Sequence, residues 1–157
     1  MSLAAPKLRV ADVASFRIGI AAARFNEILV NGLLTRVEHR LEEAGVKRAN
    51  IAIVRVPGSH EVPWAVQALA SRGRHDCLIG LGVLIGGDTN HHEMVGASAS
   101  HALQRVAIAT RIPVINGVIV VNSLAQAKAR CSGKINRGAE FAVAALEMAA
   151  LKRTLSR

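Results

Sequence analysis

Short, almost purely apolar runs alternate along this chain with longer segments whose apolar residues recur at three- and four-residue steps. That alternation is the strongest constraint on the fold. Arg17-Ile-Gly-Ile-Ala-Ala-Ala23 offers no polar face within the run, so it reads as a strand buried on both sides. Glu27 to Ala44 places Ile28, Leu29, Leu33, Leu34, Val37 and Leu41 on one helical face, with Asn26 as N-cap and Gly45 as the stop. Asn50 to Val56 reads as a second strand, closed by Pro57-Gly58, and Val62 to Ser71 as a helix with Pro63 in its first turn. A third strand, Cys77 to Leu84, breaks at Gly86-Gly87-Asp88-Thr89, and a helix spans His91 to Thr110. Pro113 to Val121 is a fourth strand. Ser123 caps a short helix through Ala129, residues 133–138 form a loop, and Ala139 to Leu151 is the last helix. Strands apolar on both faces, alternating with helices, require a parallel sheet covered on both sides, with right-handed crossovers.

A chain of 157 residues suits one domain. Residues 1–15 lack periodicity and read as an irregular arm, either mobile or paired with a neighbouring subunit; 16–157 read as the domain. No apolar run reaches the ~18 residues of a membrane span, and the first 15 residues carry no secretory apolar core. The two cysteines, Cys77 and Cys131, form no metal-spacing motif, and Cys77 sits in an apolar run, so the expected compartment is the cytoplasm. The net charge of +9 is scattered, without a basic run, zinc finger or aromatic RNA-binding strand, so no specific nucleic-acid partner is expected.

Ligands of open α/β sheets sit at the carboxyl ends of the strands. The junctions there are Ala23-Arg-Phe-Asn26, Val56-Pro-Gly-Ser-His-Glu61, Ile85-Gly-Gly-Asp-Thr-Asn-His-His92 and Ile115-Asn-Gly117, and all four are expected on one rim. The chain has three Phe, one Trp and no Tyr, so Phe25 stands out there. It is either a staple over the first helix or a platform for a flat heterocycle. The Gly86-Gly87-Asp88-Thr89 turn is either an anion-binding helix N-terminus or an ordinary cap. Of His91 and His92, one is expected to face the pocket and the other away, as a structural imidazole or a proton carrier. Arg130 suits either a helix C-terminus or a phosphate. Glu61 suits a helix N-terminus or a polyol.

Taken in order, these segments resemble the lumazine synthase family. The likeness runs from about Phe16 to Leu151 and rests on Ala23-Arg-Phe-Asn26, Val56-Pro-Gly-x-x-Glu-Val-Pro63, Leu81-Gly-Val-Leu-Ile-x-Gly-Asp-Thr-x-His91, Pro113-Val-Ile-x-Gly117, Gln126-Ala-x-x-Arg130 and Gly138-Ala-Glu-x-Ala with Leu146-Glu-Met148. The resemblance implies a flavodoxin-like three-layer α/β/α sandwich around a four-stranded parallel sheet. It implies a transferase of riboflavin biosynthesis that joins 5-amino-6-(D-ribitylamino)uracil to 3,4-dihydroxy-2-butanone 4-phosphate, without metal or organic cofactor. It implies a homo-oligomer, a pentamer or its multiples up to a closed shell of about 60 subunits, with sites between neighbours.

By the same resemblance, Phe25 stacks on the pyrimidine, and Ser59, His60, Glu61, Val83, Leu84 and Ile85 hold the pyrimidine and ribityl chain. Asp88, Thr89 and Arg130 match the phosphate site, His91 the proton-transfer residue, and Asn116 the position reaching a neighbouring subunit's site. Asn26, Lys134 and Glu140 are further candidates, and Arg137 also falls near a basic position of the family. The sequence departs from the family pattern at His60, at Gly86 where Arg is frequent, at Asn116 where Phe is common, and in a loop one residue short at 133–138. These departures motivate two competing readings: a relative that binds lumazine or flavin, or builds a shell, with weak catalysis, and a basic nucleic-acid-associated domain.

Overall fold

Six residues without a polar side chain, Ile18–Ala23, form β1, and all six are buried. Buried main-chain groups need partners, and β1 finds them on both sides. It pairs in parallel with β2 (Ile51–Val56) and with β3 (Cys77–Ile85), while β3 pairs in parallel with β4 (Val114–Val121). The strand order is therefore β2-β1-β3-β4. The structure is a computed structural model that describes residues 4–156.

Five helices cover the sheet: α1 (Glu27–Ala44), α2 (Val62–Ala70), α3 (His91–Thr110), α4 (Leu124–Cys131) and α5 (Arg137–Leu155). Ile28, read as part of the apolar face of α1, is 88% exposed, because it lies about 100° round the helix from Leu29; the face that is buried consists of Leu29, Val30, Leu33, Leu34, Val37 and Leu41. Each such side chain contributes about 1.5–3 kcal/mol by leaving water. Gly45 ends the helix at φ 110°, donating its N–H to the Glu42 and Leu41 carbonyls. One core joins α1, α4 and α5 to Ile18, Ile20, Ile79 and Leu81; a second joins α2 and α3 to Ala21, Ala23 and Leu78. The result is a flavodoxin-like α/β/α sandwich, as the patterning implied. Among the described residues, no helix is long and apolar enough to cross a membrane.

The structure differs from the sequence reading in three places. Burial on both faces holds for β1 and nearly all of β3, but β2 and β4 are edge strands that expose Arg55, Asn116 and Val120. α4 continues two residues past Ala129. α5 starts at Arg137 because the Asn136 side chain caps it, accepting from the Ala139 N–H at 3.1 Å, and it runs on to Leu155. Its last turns are anchored by Arg153, which donates to both carboxylate oxygens of Asp76 (2.8 and 2.7 Å) and to Ser15 (2.7 and 2.9 Å). Residues 4–15 contain no helix or strand, yet Val13 is buried in the first core. Residues 1–3 of the expected arm, and residue 157, lie outside the described residues.

Candidate active site

The connections from β1 and β3 leave the sheet toward opposite faces, so a crevice opens between their carboxyl ends. A cavity of about 840 Å³ occupies that crevice. Three junctions and the first turns of α3 build its wall.

Phe25 follows β1 directly. The Arg24 and Phe25 N–H groups donate to the Pro57 carbonyl at 3.1 and 2.9 Å, which lashes this turn to the one after β2. Phe25 is 73% exposed, so it is no staple; a Cβ on residue 58 would lie 3.2 Å from its ring, so glycine there leaves the ring its place. Asn26 follows in the left-handed region (φ 56°, ψ 44°). The sequence made it an N-cap, but its side chain makes no capping bond. Its Nδ2 donates instead to the Val83 carbonyl at 2.8 Å. β1–β3 pairing stops at Ala22 opposite Leu81, and the Asn26 amide satisfies a carbonyl beyond that point.

After β2, Ser59 is buried because Gly82 leaves room for it: a Cβ on residue 82 would lie 2.2 Å from the Ser59 Oγ. One Glu61 oxygen accepts the Gly58 N–H at 2.8 Å, and the other lies 3.8 Å from His60 Nδ1. Val83, Leu84 and Ile85 line the cavity from the end of β3. The next turn is held by Gly86 N–H donating to Val121 O at 2.7 Å. Gly87 and Thr89 line the cavity, whereas Asp88 is exposed outside that lining. The Thr89 hydroxyl accepts from the His91 N–H at 3.4 Å. Both His91 and His92 contribute to the cavity lining, but both ring nitrogens of His92 are sealed from solvent, with Nε2 close to Gly86. α3 lies along the wall, so Met94, Val95 and Ser98 line it too. These three were missed, although 91, 94, 95 and 98 follow the helical i, i+3, i+4, i+7 stripe.

The arrangement sets an exposed aromatic ring, a glycine-rich helix N-terminus and an imidazole around one space. It can seat a flat ring beside an anion and move a proton between them. Comparison with known proteins decides the kinship. The family model for 6,7-dimethyl-8-ribityllumazine synthase matches residues 15–153. Proteins of that name from Polaromonas sp. strain JS666 (41% identity over 140 residues, 89% of each chain) and Prochlorococcus marinus strain MIT 9211 (40% over 151 residues, 94% of this chain and 96% of the relative) are similar to it. A third, from Thermococcus gammatolerans, is 38% identical over 139 residues. This chain belongs to the lumazine synthase family. Family membership makes it a transferase of riboflavin biosynthesis.

Besides Asp88, the residues Asn116, Arg130, Lys134, Arg137 and Glu140, singled out by the resemblance to lumazine synthases, are not part of this chain's own cavity lining. Asn116 was expected on the rim but sits near the start of β4, opposite Gly80, bonded through Nδ2 to the Ser100 Oγ at 3.1 Å. The rim lies at the other end of that strand, where Val121 pairs with Ile85. Arg130 lies near the carboxyl end of α4, its Nη1 donating to Gln126 O at 3.1 Å. Lys134 is exposed in the connection to α5, and Glu140, in the first turn of α5, pairs with Arg137. Neither cysteine is built as a nucleophile: burial pushes the Cys77 thiol far up and that of Cys131 to about 11. Among the described residues, no group of three or more metal-ligating side chains occurs.

Proposed function

We propose that this chain condenses 5-amino-6-(D-ribitylamino)uracil with 3,4-dihydroxy-2-butanone 4-phosphate, releasing 6,7-dimethyl-8-ribityllumazine, phosphate and water. One observation carries the reading: Phe25, Glu61, Thr89 and His91, from three separate junctions, line a single cavity of about 840 Å³. Phe25 takes the pyrimidine on its exposed ring, with Ser59, His60 and the 83–85 strand end along the pyrimidine and ribityl chain. Glu61 accepts from ribityl hydroxyls through the oxygen that does not hold Gly58.

The 87–89 turn and Arg130 take the phosphate, where backbone N–H groups and a guanidinium offset the charge that grows as it leaves. The amine attacks the ketone and the carbinolamine loses water. His91 carries protons in these steps and in the ring closure. Binding both substrates side by side supplies orientation.

The active unit is a homo-oligomer, a pentamer or a multiple of it, in the cytoplasm. Two features support assembly. Ile28, Trp64, Ile108 and Leu155 are each at least 70% exposed, a large apolar area for an isolated chain. Asn116, Arg130 and Lys134, matched to the site by the resemblance, lie outside the chain's own cavity lining, as expected of residues that serve a neighbouring copy's cavity. The arm at 1–15 is read as a segment tied to the 16–157 domain at its end.

The test is direct. Purified protein with both substrates yields lumazine absorbance faster than the spontaneous reaction. His91→Ala lowers kcat by about 10²-fold or more. Arg130→Ala raises KM for the phosphate substrate about tenfold and leaves pyrimidine affinity unchanged. Wild type and His91→Ala matching the blank would leave only a binding or shell-forming relative.

A further inference from the structure

His92 is the one described residue whose buried side-chain nitrogens have no hydrogen-bond partner: Nδ1 and Nε2 are both sealed from solvent and both unpaired. An imidazole always offers two polar nitrogens, and burying them unpaired is costly. The residue nevertheless contributes to the cavity lining. It sits in a notch that exists because residue 86 is glycine. A Cβ there would lie 3.2 Å from His92 Nε2 and 3.2 Å from the Asn122 Cα. The notch is in the turn that ends β3, one residue before Gly87 and three before Thr89. A phenyl ring would fill the same space without stranding any polar atom, so packing alone does not account for an imidazole.

We propose that His92 is a substrate-binding residue for the phosphate: an imidazole N–H donates to a phosphate oxygen once the anion enters the 86–89 turn. This rests on the reading that this turn is the phosphate site. The free enzyme holds the ring in its notch with both nitrogens idle. Torsion about the Cβ–Cγ bond is soft and roughly two-fold, so a small rotation brings one N–H to an anion at the turn. The unpaired state of the free protein is then the ground from which binding gains, and stability is sacrificed for the ligand. His91 and His92 thus divide the work: proton transfer at the first helical residue, anion recognition at the second.

Inorganic phosphate is the probe, with binding measured by titration calorimetry and by the phosphate-induced rise in Tm. Wild type binds phosphate and melts higher in its presence. His92→Phe melts higher than wild type without phosphate, because two stranded nitrogens are gone, and binds phosphate about tenfold more weakly. His92→Gln, which keeps a donor, recovers binding to within about threefold of wild type. Phosphate affinity in His92→Phe equal to wild type overturns this role while leaving the phosphate reading of the turn standing. No phosphate binding by wild type overturns both. Equal loss in the Phe and Gln variants shows that the ring's shape, not its N–H, is what matters, and also overturns it.

Discussion

Replacing Asn26 with alanine tests how the site is held, because this residue does two separable things. Its amide bridges from the end of β1 to the Val83 carbonyl, 57 residues away, at 2.8 Å. Its backbone sits at φ 56°, where asparagine is tolerated and alanine is not. Losing the hydrogen bond costs about 1 kcal/mol, and forcing alanine into the left-handed region costs about 1 kcal/mol more. Asn26→Ala should therefore lose about 2 kcal/mol. For 157 residues the unfolding entropy near Tm is about 0.3 kcal/mol per degree, so Tm falls by about 6 °C. Asn26→Gly removes the bridge but not the tolerated backbone, and falls by about half as much. Both variants free the turn that carries Phe25, so pyrimidine affinity drops in parallel with the bridge, not with the strain. Thermal melts at one protein concentration, with a pyrimidine-binding titration, separate the two contributions. Equal Tm values for the Ala and Gly variants would refute the backbone term; unchanged pyrimidine affinity in both would refute the bridge's role in seating Phe25.

Burial alone would raise the Asp76 carboxyl, but the Arg153 guanidinium and the Arg17 N–H outweigh it and hold it below its ordinary 3.8. A depressed folded value stabilises the fold above the unfolded value, and the benefit is lost as pH falls through the folded one. Asp76→Asn should thus lower the urea midpoint at pH 7 and flatten its decline below about pH 4; an acid limb as steep as wild type contradicts the pairing. Cys77 and Cys131 are buried with raised thiol values, so both should resist a disulfide reagent at pH 8 in the native protein and react in denaturant. Rapid labelling of either thiol in the native protein contradicts their placement.

The parts of the fold legible in the chain were those set by local pattern. The α1 periodicity predicted both ends and five of the residues it buries, missing Val30 and wrongly including Ile28, and the apolar runs predicted four strands in order. What stayed hidden was set by contacts distant in sequence. Asn26 looks like a cap because its neighbours are helical, but its partner is on β3. The start of α5 lies in a Ser-Gly-Lys-Ile-Asn stretch that reads as loop until Asn136 is seen capping Ala139. Its far end is fixed by Asp76, which no periodicity reveals. At the site, Phe25, Ser59–Glu61, Val83–Ile85, Thr89 and His91 were legible because strand ends converge by rule. Met94, Val95 and Ser98 were legible in principle, by extending the stripe from His91. Asp88, Asn116 and Arg130 were given site roles only by the resemblance, and the chain's own cavity lining does not include them.

In the proposed assembly, Arg130 of one copy completes the cavity of another. Co-assembly of His91→Ala with Arg130→Ala chains measures this directly. Each variant alone is impaired, but a random one-to-one mixed oligomer should contain about a quarter of sites with both residues intact. With the phosphate substrate held well below its wild-type KM, activity should return toward a quarter of wild type on mixing, and the restored sites should show the wild-type KM for that substrate. Activity equal to the average of the two separate variants would contradict it, and would place both residues in the same chain's site.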